Sequence, residues 1–330
     1  MFKVPSVIQK AKQTTLDQTQ LPTRSWLRSL WDFSRPHTII GTTLSVLALA
    51  AMALVSAKSV AWPSFSIALG QILAALVPSL CANIYIVGLN QLEDIEIDRI
   101  NKPDLPLASG AFSVAEGRWI VSVTALLALV FAGLQGAELF GTVVLSMAIG
   151  TAYSLPPLRL KRFPFWAALC IFGVRGGVVN LGFFAHFRQL WGDASLRVWQ
   201  APAEVWALTA FVVLFAFAIA IFKDIPDAKG DLQFQIRTLT VRLGARFVFN
   251  LSRWVLTLCY GLLIGLTLTG ILAVQPWVLV GSHLTLVGLL WRQSTQVDVA
   301  QKQEMSRFYQ FIWRLFFLEY LLFPIACWIR

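Results

Sequence analysis

Two groups of polar side chains in this sequence have the types and spacing of a metal site. Both recur at helical spacing: Asn90, Asp94 and Asp98 in the first, and Asp224, Asp227 and Asp231 in the second. Residues three or four apart share one face of a helix, so we expect each group to line one face. Mg²⁺ prefers oxygen ligands and takes one or two carboxylates, with water and substrate phosphates completing its shell. The two groups therefore predict a magnesium site for a diphosphate.

The elements that must position these groups are strongly apolar. Of 330 residues, 57% are hydrophobic and 13% are charged, whereas about a quarter of the residues of a soluble domain are charged. Runs long enough to cross about 30 Å of hydrocarbon recur along the chain. The predicted spans are 38–57, 66–89, 119–135, 138–155, 164–187, 204–222, 247–270, 272–291 and 308–329. Because these runs lack the alternation of barrel strands, the sequence predicts an all-α polytopic membrane protein with nine transmembrane helices.

The basic residues predict how this bundle is oriented. Lys and Arg concentrate in the N-terminal segment and in connections on the same predicted side, which indicates a cytoplasmic N-terminus. We assign the net charge of +10 to the membrane surface and expect no nucleic acid partner. Residues 1–35 are predicted to form a cytoplasmic arm with a candidate interfacial helix over 24–34, and residues 36–330 a single domain. Both acidic groups then follow a span on the cytoplasmic side.

The metal interpretation competes with two others. Each group alone could be a charged loop at a helix end, but two groups on one side with matched spacing favour a shared cation site. A transporter is the alternative class, and it is disfavoured because the acids lie at helix ends and not near the midplane.

If α-helix continues beyond Asn90, the first group lines one narrow face, with about 6 Å between steps. Gly261 and Gly265 are predicted to be a close-packing pair.

At these positions the sequence resembles the intramembrane aromatic prenyltransferases of the UbiA superfamily. Members have nine transmembrane helices around a central cavity, an NxxxDxxxD motif after helix two and a DxxxD motif after helix six. The matching residues are Asn90, Asp94 and Asp98 in the first motif and Asp227 and Asp231 in the second. Asp224 is an additional acid at the start of the second motif. The resemblance covers essentially the whole chain and implies that the five matching side chains hold Mg²⁺.

Within the superfamily, residues 90–110 (NQLEDIEIDRINKPDLPLASG) resemble the homogentisate prenyltransferases, most nearly the cyanobacterial members that transfer phytyl. Further similar stretches are 33–38, 152–162, 222–227 and 308–320. Gln91 departs from the Asn-Asp pair of many members and argues against chlorophyll synthase, which usually keeps that pair.

The resemblance also assigns roles to residues outside the two motifs. It implies that Tyr153 and Lys161 line the catalytic cavity, with the tyrosine ring stabilising an allylic cation. Cations expected to assist on the same side are Lys102, Lys223 and Arg35. The intramembrane Arg175 is expected either to line the cavity or to pack, and Arg35 or Arg175 is a candidate to hold the carboxylate of the acceptor. His37 is a candidate substrate contact.

The implied reaction is Mg²⁺-dependent transfer of a phytyl group from its diphosphate to homogentisate with decarboxylation. The product would be a methyl-phytyl-benzoquinol of tocopherol (vitamin E) synthesis. The alternatives are a homogentisate solanesyl or geranylgeranyl transferase and a chlorophyll synthase. The implied partners are a prenyl diphosphate, a small aromatic acceptor and membrane lipid, and the oligomeric state stays open. The expected location is a cyanobacterial thylakoid or plasma membrane, with the plastid inner envelope as the alternative.

Overall fold

A computed structural model describes residues 25–57, 63–192, 198–234 and 238–330. In these residues helices account for nearly all regular structure, and no strand is present. The α-helices are α1 (Trp26–Phe33), α2 (Pro36–Ser56), α3 (Phe65–Glu93), α4 (Ile95–Asn101), α5 (Pro106–Ser109), α6 (Val114–Gly133), α7 (Ala137–Ser154), α8 (Pro164–Phe172), α9 (Val179–Trp191), α10 (Ala203–Phe222), α11 (Asp224–Gln233), α12 (Leu239–Leu243), α13 (Ala245–Leu268), α14 (Pro276–Ser294) and α15 (Lys302–Trp328). Most of the predicted arm, residues 1–24, lies outside the described residues, and α1 falls where the interfacial helix is predicted.

Eight helical segments of the described chain are long and apolar enough to cross a membrane. They are α2, α3, α6, α7, the continuous segment Pro164–Trp191, α10, α13 and α15. Helix α14 occupies the eighth predicted span but is not among them. The all-α polytopic membrane fold is therefore confirmed, whereas the count of nine spans and the cytoplasmic N-terminus stay predictions.

Helix α10 lies at the centre of the bundle. It is buried along most of its length and packs against α8, α13 and α15. Its aromatic residues Phe211, Phe215 and Phe222 are completely buried. Helices α3 and α6, by contrast, leave large apolar side chains exposed, as expected of helices whose outer faces contact lipid acyl chains.

The predicted fifth span is not a uniform α-helix. A π-helical turn, Gly173–Val178, separates α8 from α9. Gly176 in this turn is buried against Val213 of α10, where an added Cβ would lie 2.4 Å from a side-chain carbon, so the turn approaches α10 closely at this residue. The predicted packing pair Gly261 and Gly265 is wrong: both are exposed, and an added Cβ at either would meet nothing within 4 Å.

Short helices gather at one end of the bundle. Helix α4 follows α3, helix α11 follows α10, and α4 packs against α11. A 3-10 turn at Leu160–Arg162 joins α7 to α8 and contacts both. We call this region, with the motif residues 90–106 and 222–234, the acidic end.

Candidate active site

The first motif spans a break between two helices. Helix α3 ends at Glu93 and α4 begins at Ile95, with the Asp94 backbone (φ −113°, ψ 18°) outside the helical region. The predicted continuous face is therefore wrong, because the helix is interrupted at Asp94. Asn90 and Asp94 still meet, since Asn90 Nδ2 donates to Asp94 Oδ2 at 2.8 Å. The buried Gln91 amide donates to the carbonyl oxygen of Phe33 at 2.8 Å and ties this helix end to α1.

The second motif lies on one new helix. Helix α11 begins at Asp224, directly after Lys223, and Pro226 falls in its first turn, where the missing N–H of proline has no helical partner to lose. The spacing prediction is confirmed in this motif, because Asp224, Asp227 and Asp231 all lie on α11. Asp227 and Asp231 are buried.

The contact between α4 and α11 brings the two motifs together. Lys102, at the end of α4, donates from Nζ to Asp227 Oδ2. The backbone N–H of Gly230 donates to Asn101 Oδ1 at 3.0 Å. An added Cβ at Gly230 would lie 2.3 Å from that oxygen, so the close approach of the two helices requires glycine. Asp98 is also buried, on α4.

Three cations surround the carboxylates of the first motif. Lys161 Nζ lies 2.7 Å and Arg159 Nη2 lies 3.4 Å from Asp94 Oδ1. Arg35 Nη2 lies 3.9 Å from Asp98 Oδ2. Arg35 (φ 53°) and Arg159 (φ 36°) both have left-handed backbones, which is costly for residues with a Cβ and is concentrated at functional sites. The local backbone thus directs two guanidinium groups toward the motif.

Burial shifts the ionisation of this region. It raises the pKa of Asp98, an effect that Arg35 and Lys102 oppose. Burial raises the pKa of Asp224 to about 6, against the attraction of Lys223. Burial, followed by repulsion from Asp224 and Asp227, raises the pKa of Asp231 to about 7. Ionised carboxylates here are therefore stabilised by added positive charge.

A cavity of about 260 Å³ opens beside the acidic end, between α2, α3, α7, the α8–α9 segment, α10 and α15. Six predicted site residues line it: Arg35, His37, Asn90, Tyr153, Arg175 and Lys223. The remaining predicted residues lie in the acidic end outside its lining: Asp94, Asp98, Lys102, Lys161, Asp224, Asp227 and Asp231. Most of the wall surface is apolar, with Val143, Ile149 and Phe183 among its residues, and Ser45, Ser79, Thr142 and Ser146 also line the cavity.

Tyr153 and Lys223 connect the cavity to the second motif. Lys223 Nζ donates to the Tyr153 hydroxyl oxygen at 3.0 Å and lies 5.6 Å from the centre of its ring. The same ammonium group is 3.9 Å from Asp224 Oδ1. The tyrosine ring is therefore held at the cavity wall next to the acidic group.

Sequence reasoning missed four residues of this region. Arg159 and Asn101 orient the motifs, and Tyr309 and Trp313 of α15 line the cavity. The left-handed backbone at Arg159 gives no sequence signal. Asn101 follows Asp98 by three residues, a spacing that could have suggested a role on the same helix.

No three His, Cys, Asp or Glu side chains of the described chain lie close enough to hold a metal ion by themselves. The site thus presents carboxylate and amide groups from the end of α3, from α4 and from α11, with lysine and arginine side chains between them. Together, fold and site define a membrane-embedded protein whose mostly apolar cavity ends at acidic and basic side chains.

Comparison with known proteins identifies the family. Residues 44–315 match the UbiA prenyltransferase family, and the chain belongs to this family. It is 49% identical over 307 residues to a homogentisate phytyltransferase of Synechocystis sp., covering 92% of this chain and 96% of that protein. It is 41% identical over 305 residues to a homogentisate geranylgeranyltransferase of Hordeum vulgare, covering 91% of this chain and 72% of that protein.

The solved structure of a UbiA homologue from Archaeoglobus fulgidus bound to GPP and Mg²⁺ has the same fold. Its TM-score is 0.61 at 16% identity, with 90% of this chain and 99% of that chain covered.

Proposed function

We propose that this protein transfers a phytyl group from phytyl diphosphate to homogentisate, with loss of the acceptor carboxylate as carbon dioxide. The product would be a methyl-phytyl-benzoquinol of tocopherol synthesis. The observation that carries the proposal is the meeting of α4 and α11, which brings both acidic motifs together beside a mostly apolar cavity that Asn90 and Lys223 line. The similarity to the Synechocystis homogentisate phytyltransferase supports this donor and acceptor.

The residues at the acidic end fit Mg²⁺ as a cofactor. The proposed ligands, Asn90, Asp94, Asp98, Asp227 and Asp231, offer the oxygen donors that Mg²⁺ prefers. Burial raises the pKa of Asp98 and Asp231, so a bound cation would stabilise the ionised form of both carboxyl groups. Mg²⁺ usually takes one or two carboxylates and completes its shell with water and phosphate, so no preassembled three-acid cluster is needed. When bound, it would neutralise the diphosphate and make it a better leaving group.

The side chains of the site supply the remaining chemistry. Lys161, Lys102 and Arg35 carry N–H donors suited to phosphate oxygens. The ring of Tyr153 faces the cavity where an allylic carbon would develop positive charge, and a π face stabilises such a cation. The apolar wall accommodates the isoprenoid chain and excludes water that would compete with the acceptor.

The reaction balances without an oxidant. The bond between the phytyl carbon and the diphosphate oxygen breaks, and the diphosphate leaves with its electron pair. A ring carbon of homogentisate supplies the pair for the new carbon–carbon bond and then loses its proton. Carbon dioxide departs from the side chain, and the pair left on the methylene carbon takes up a proton to give the methyl group.

A geranylgeranyl donor is the second candidate, because the Hordeum vulgare relative is a homogentisate geranylgeranyltransferase. The donors share the reacting allylic diphosphate, so the acidic end would serve either. The expected membrane is the thylakoid or plasma membrane of a cyanobacterium.

The test supplies radiolabelled homogentisate to the purified full-length protein with phytyl, geranylgeranyl or solanesyl diphosphate, with and without Mg²⁺. We expect Mg²⁺-dependent labelled benzoquinol, fastest with phytyl diphosphate. Asp94→Ala and Asp227→Ala should lower kcat/KM at least about 100-fold, since each removes a proposed ligand. Glu96→Ala is the matched control, because Glu96 lies on α4 but pairs with Arg99 at the surface, 2.8 Å away.

Three results would count against the proposal. Prenylation of another acceptor, but not of homogentisate, would keep the family chemistry and overturn the acceptor. Full activity in chelator would overturn the Mg²⁺ requirement. Solute or ion flux in vesicles, changed by the aspartate substitutions without any prenyl transfer, would favour a transporter.

A further inference from the structure

Arg175 places a guanidinium group in the cavity wall without a carboxylate partner. It lies in the π-helical turn Gly173–Val178 and lines the cavity. Among the described residues, no Asp or Glu oxygen lies within ion-pair distance of it. An arginine inside a membrane span is costly unless it faces a partner or a wet cavity. The position therefore favours binding of an anion that the described residues do not supply.

Aromatic rings hold this guanidinium group in place. Its central carbon lies 5.0 Å from the centre of the Trp313 ring and 5.6 Å from that of Phe316. The ring of Trp313 also contacts His37, with 4.8 Å between the two ring centres. A guanidinium group that contacts rings in this way keeps N–H groups that can bind an anion. Arg175 is thus held between two aromatic rings and the backbone of α2.

The backbone of α2 leaves room for Arg175. An added Cβ at Gly41 would lie 3.0 Å from Arg175 Nη1, so a larger residue there would press on the guanidinium group. Gly41 is buried on the face of α2 that meets Arg175 and Trp313. This close approach provides a way to displace Arg175 without removing it.

The depth of Arg175 separates it from the diphosphate end. It follows Pro164, the first residue of α8, by a helical rise of about 16 Å. Asn90 and Tyr153 lie near the ends of α3 and α7 that enter the acidic end. An acceptor between the two regions would have its ring near Tyr153 and an acidic side chain pointing away from the diphosphate.

The other candidate for this role is already engaged. Arg35 lies at the mouth of the cavity, where its guanidinium group is 3.9 Å from Asp98 of the first motif. Its neighbourhood is that of the proposed metal and diphosphate, whereas Arg175 has no Asp or Glu partner in the part of the chain that the structure describes. A planar guanidinium group with a free edge binds a carboxylate through two parallel hydrogen bonds.

We propose that Arg175 is the residue that binds the carboxylate of an aromatic acid acceptor, with Trp313 and Gly41 fixing its position. The inference rests on the proposed function for the identity of the acid. Holding the carboxylate on Arg175 orients one ring carbon toward the allylic carbon, and release of carbon dioxide then frees the guanidinium group. Aromatic acids would therefore be selected over acceptors with the same ring and no acid group.

The experiment compares homogentisate with methylhydroquinone, which has the same substituted ring and lacks the carboxylate. For Arg175→Met, the ratio of kcat/KM for homogentisate to that for methylhydroquinone should fall about 10- to 100-fold, the effect of losing a charge-assisted pair. The KM for phytyl diphosphate should stay within about threefold of wild type. The ratio for Arg175→Lys should lie between those of the wild type and Arg175→Met. Gly41→Ala should lower the ratio as well.

Arg253→Met is the matched control. Arg253 is also an intramembrane arginine stacked on rings, 4.5 Å from the centre of Trp291 and 5.3 Å from that of Phe249. It lies outside the lining of the cavity, so the acceptor ratio should not change. A fall in this variant equal to that in Arg175→Met would indicate a general effect of losing an intramembrane arginine and would overturn the proposal.

Direct binding separates this inference from the proposed function. Radiolabelled homogentisate should bind the purified protein, and Arg175→Met should weaken binding by the same factor as it changes the ratio. Equal losses with both acceptors, or unchanged homogentisate kinetics in Arg175→Met, would overturn the role of Arg175 while leaving the prenyl transfer intact. If the wild type prenylates neither acceptor, the proposed function fails. The Arg175 inference then stands if homogentisate still binds in an Arg175-dependent manner and falls if it does not bind.

Discussion

Tyr153 joins two parts of the site through two different groups. Its ring lines the cavity, and its hydroxyl oxygen accepts from Lys223 at 3.0 Å. If the ring face stabilises the developing allylic cation, Tyr153→Leu should lower kcat about tenfold or more, and Tyr153→Phe should cost less because the face remains. Single-turnover rates at saturating substrate would measure this. Equal losses in both variants would assign the effect to the hydroxyl group and its hold on Lys223.

At the residue scale, helical spacing predicted the acidic residues of the site. It predicted the cationic residues less completely. Asp227 and Asp231 follow from the sequence because an uninterrupted helix carries them. Arg159 reaches Asp94 only because its backbone is left-handed, a conformation set by the turn between α7 and α8. Trp313 could be assigned to a helix from its sequence, but its place beside Arg175 depends on how α15 packs against α2.

At the scale of elements, the joint between α4 and α11 decides whether the two motifs form one site. Helix α3 is interrupted at Asp94, and the separate helix α4 packs against α11. Sequence periodicity cannot indicate such a break, since the residues on both sides have ordinary helical spacing.

Gly230→Ala tests this joint. The new Cβ would lie 2.3 Å from Asn101 Oδ1, so the buried amide must move and the two helices must separate. We expect at least about a tenfold loss of kcat/KM and a destabilisation of about 1–3 kcal/mol, typical of overpacking. Activity and thermal unfolding in detergent would report both effects.

Gly261→Ala is the control for this substitution. An alanine at this exposed position of α13 meets nothing within 4 Å, and alanine favours helix over glycine by about 1 kcal/mol. It should leave activity unchanged. An active, fully stable Gly230→Ala variant would show that the motifs tolerate a wider joint than the close contact implies.

At the scale of the whole molecule, apolar segments predict the helical bundle, but they do not explain how its less apolar helix α14 is held. Helix α14 is the long helix that length and apolar composition do not identify as a span, and it packs against α13 and α15. Hydropathy alone could place a helix there from residues 272–291, but it could not show how a less apolar helix is held. The structure shows a polar contact between α14 and α15. His283 of α14 faces Glu319 of α15, and both side chains are completely buried.

This contact predicts how α14 is attached to the bundle. His283 Nε2 lies 3.3 Å from Glu319 Oε2, and the ring of Tyr260 on α13 lies 5.4 Å from the His283 ring. Glu319→Leu would remove the carboxylate that faces His283 Nε2, while the contact of Nδ1 with Ser282 Oγ remains. We expect a cost of about 1–3 kcal/mol, typical of a buried polar group that loses its partner. The unfolding temperature in detergent should fall accordingly.

The double variant His283→Phe, Glu319→Leu distinguishes a pairing effect from a packing effect. Removing both polar groups takes away the desolvation cost as well as the contact, so most of the lost stability should return. Neither residue lines the cavity, so prenyl transfer at a temperature below the transition should survive in both variants. If the double variant is as unstable as the single one, shape and not polarity holds α14, and the close fit of Phe211 and Tyr260 around His283 becomes the reason that this helix stays in place.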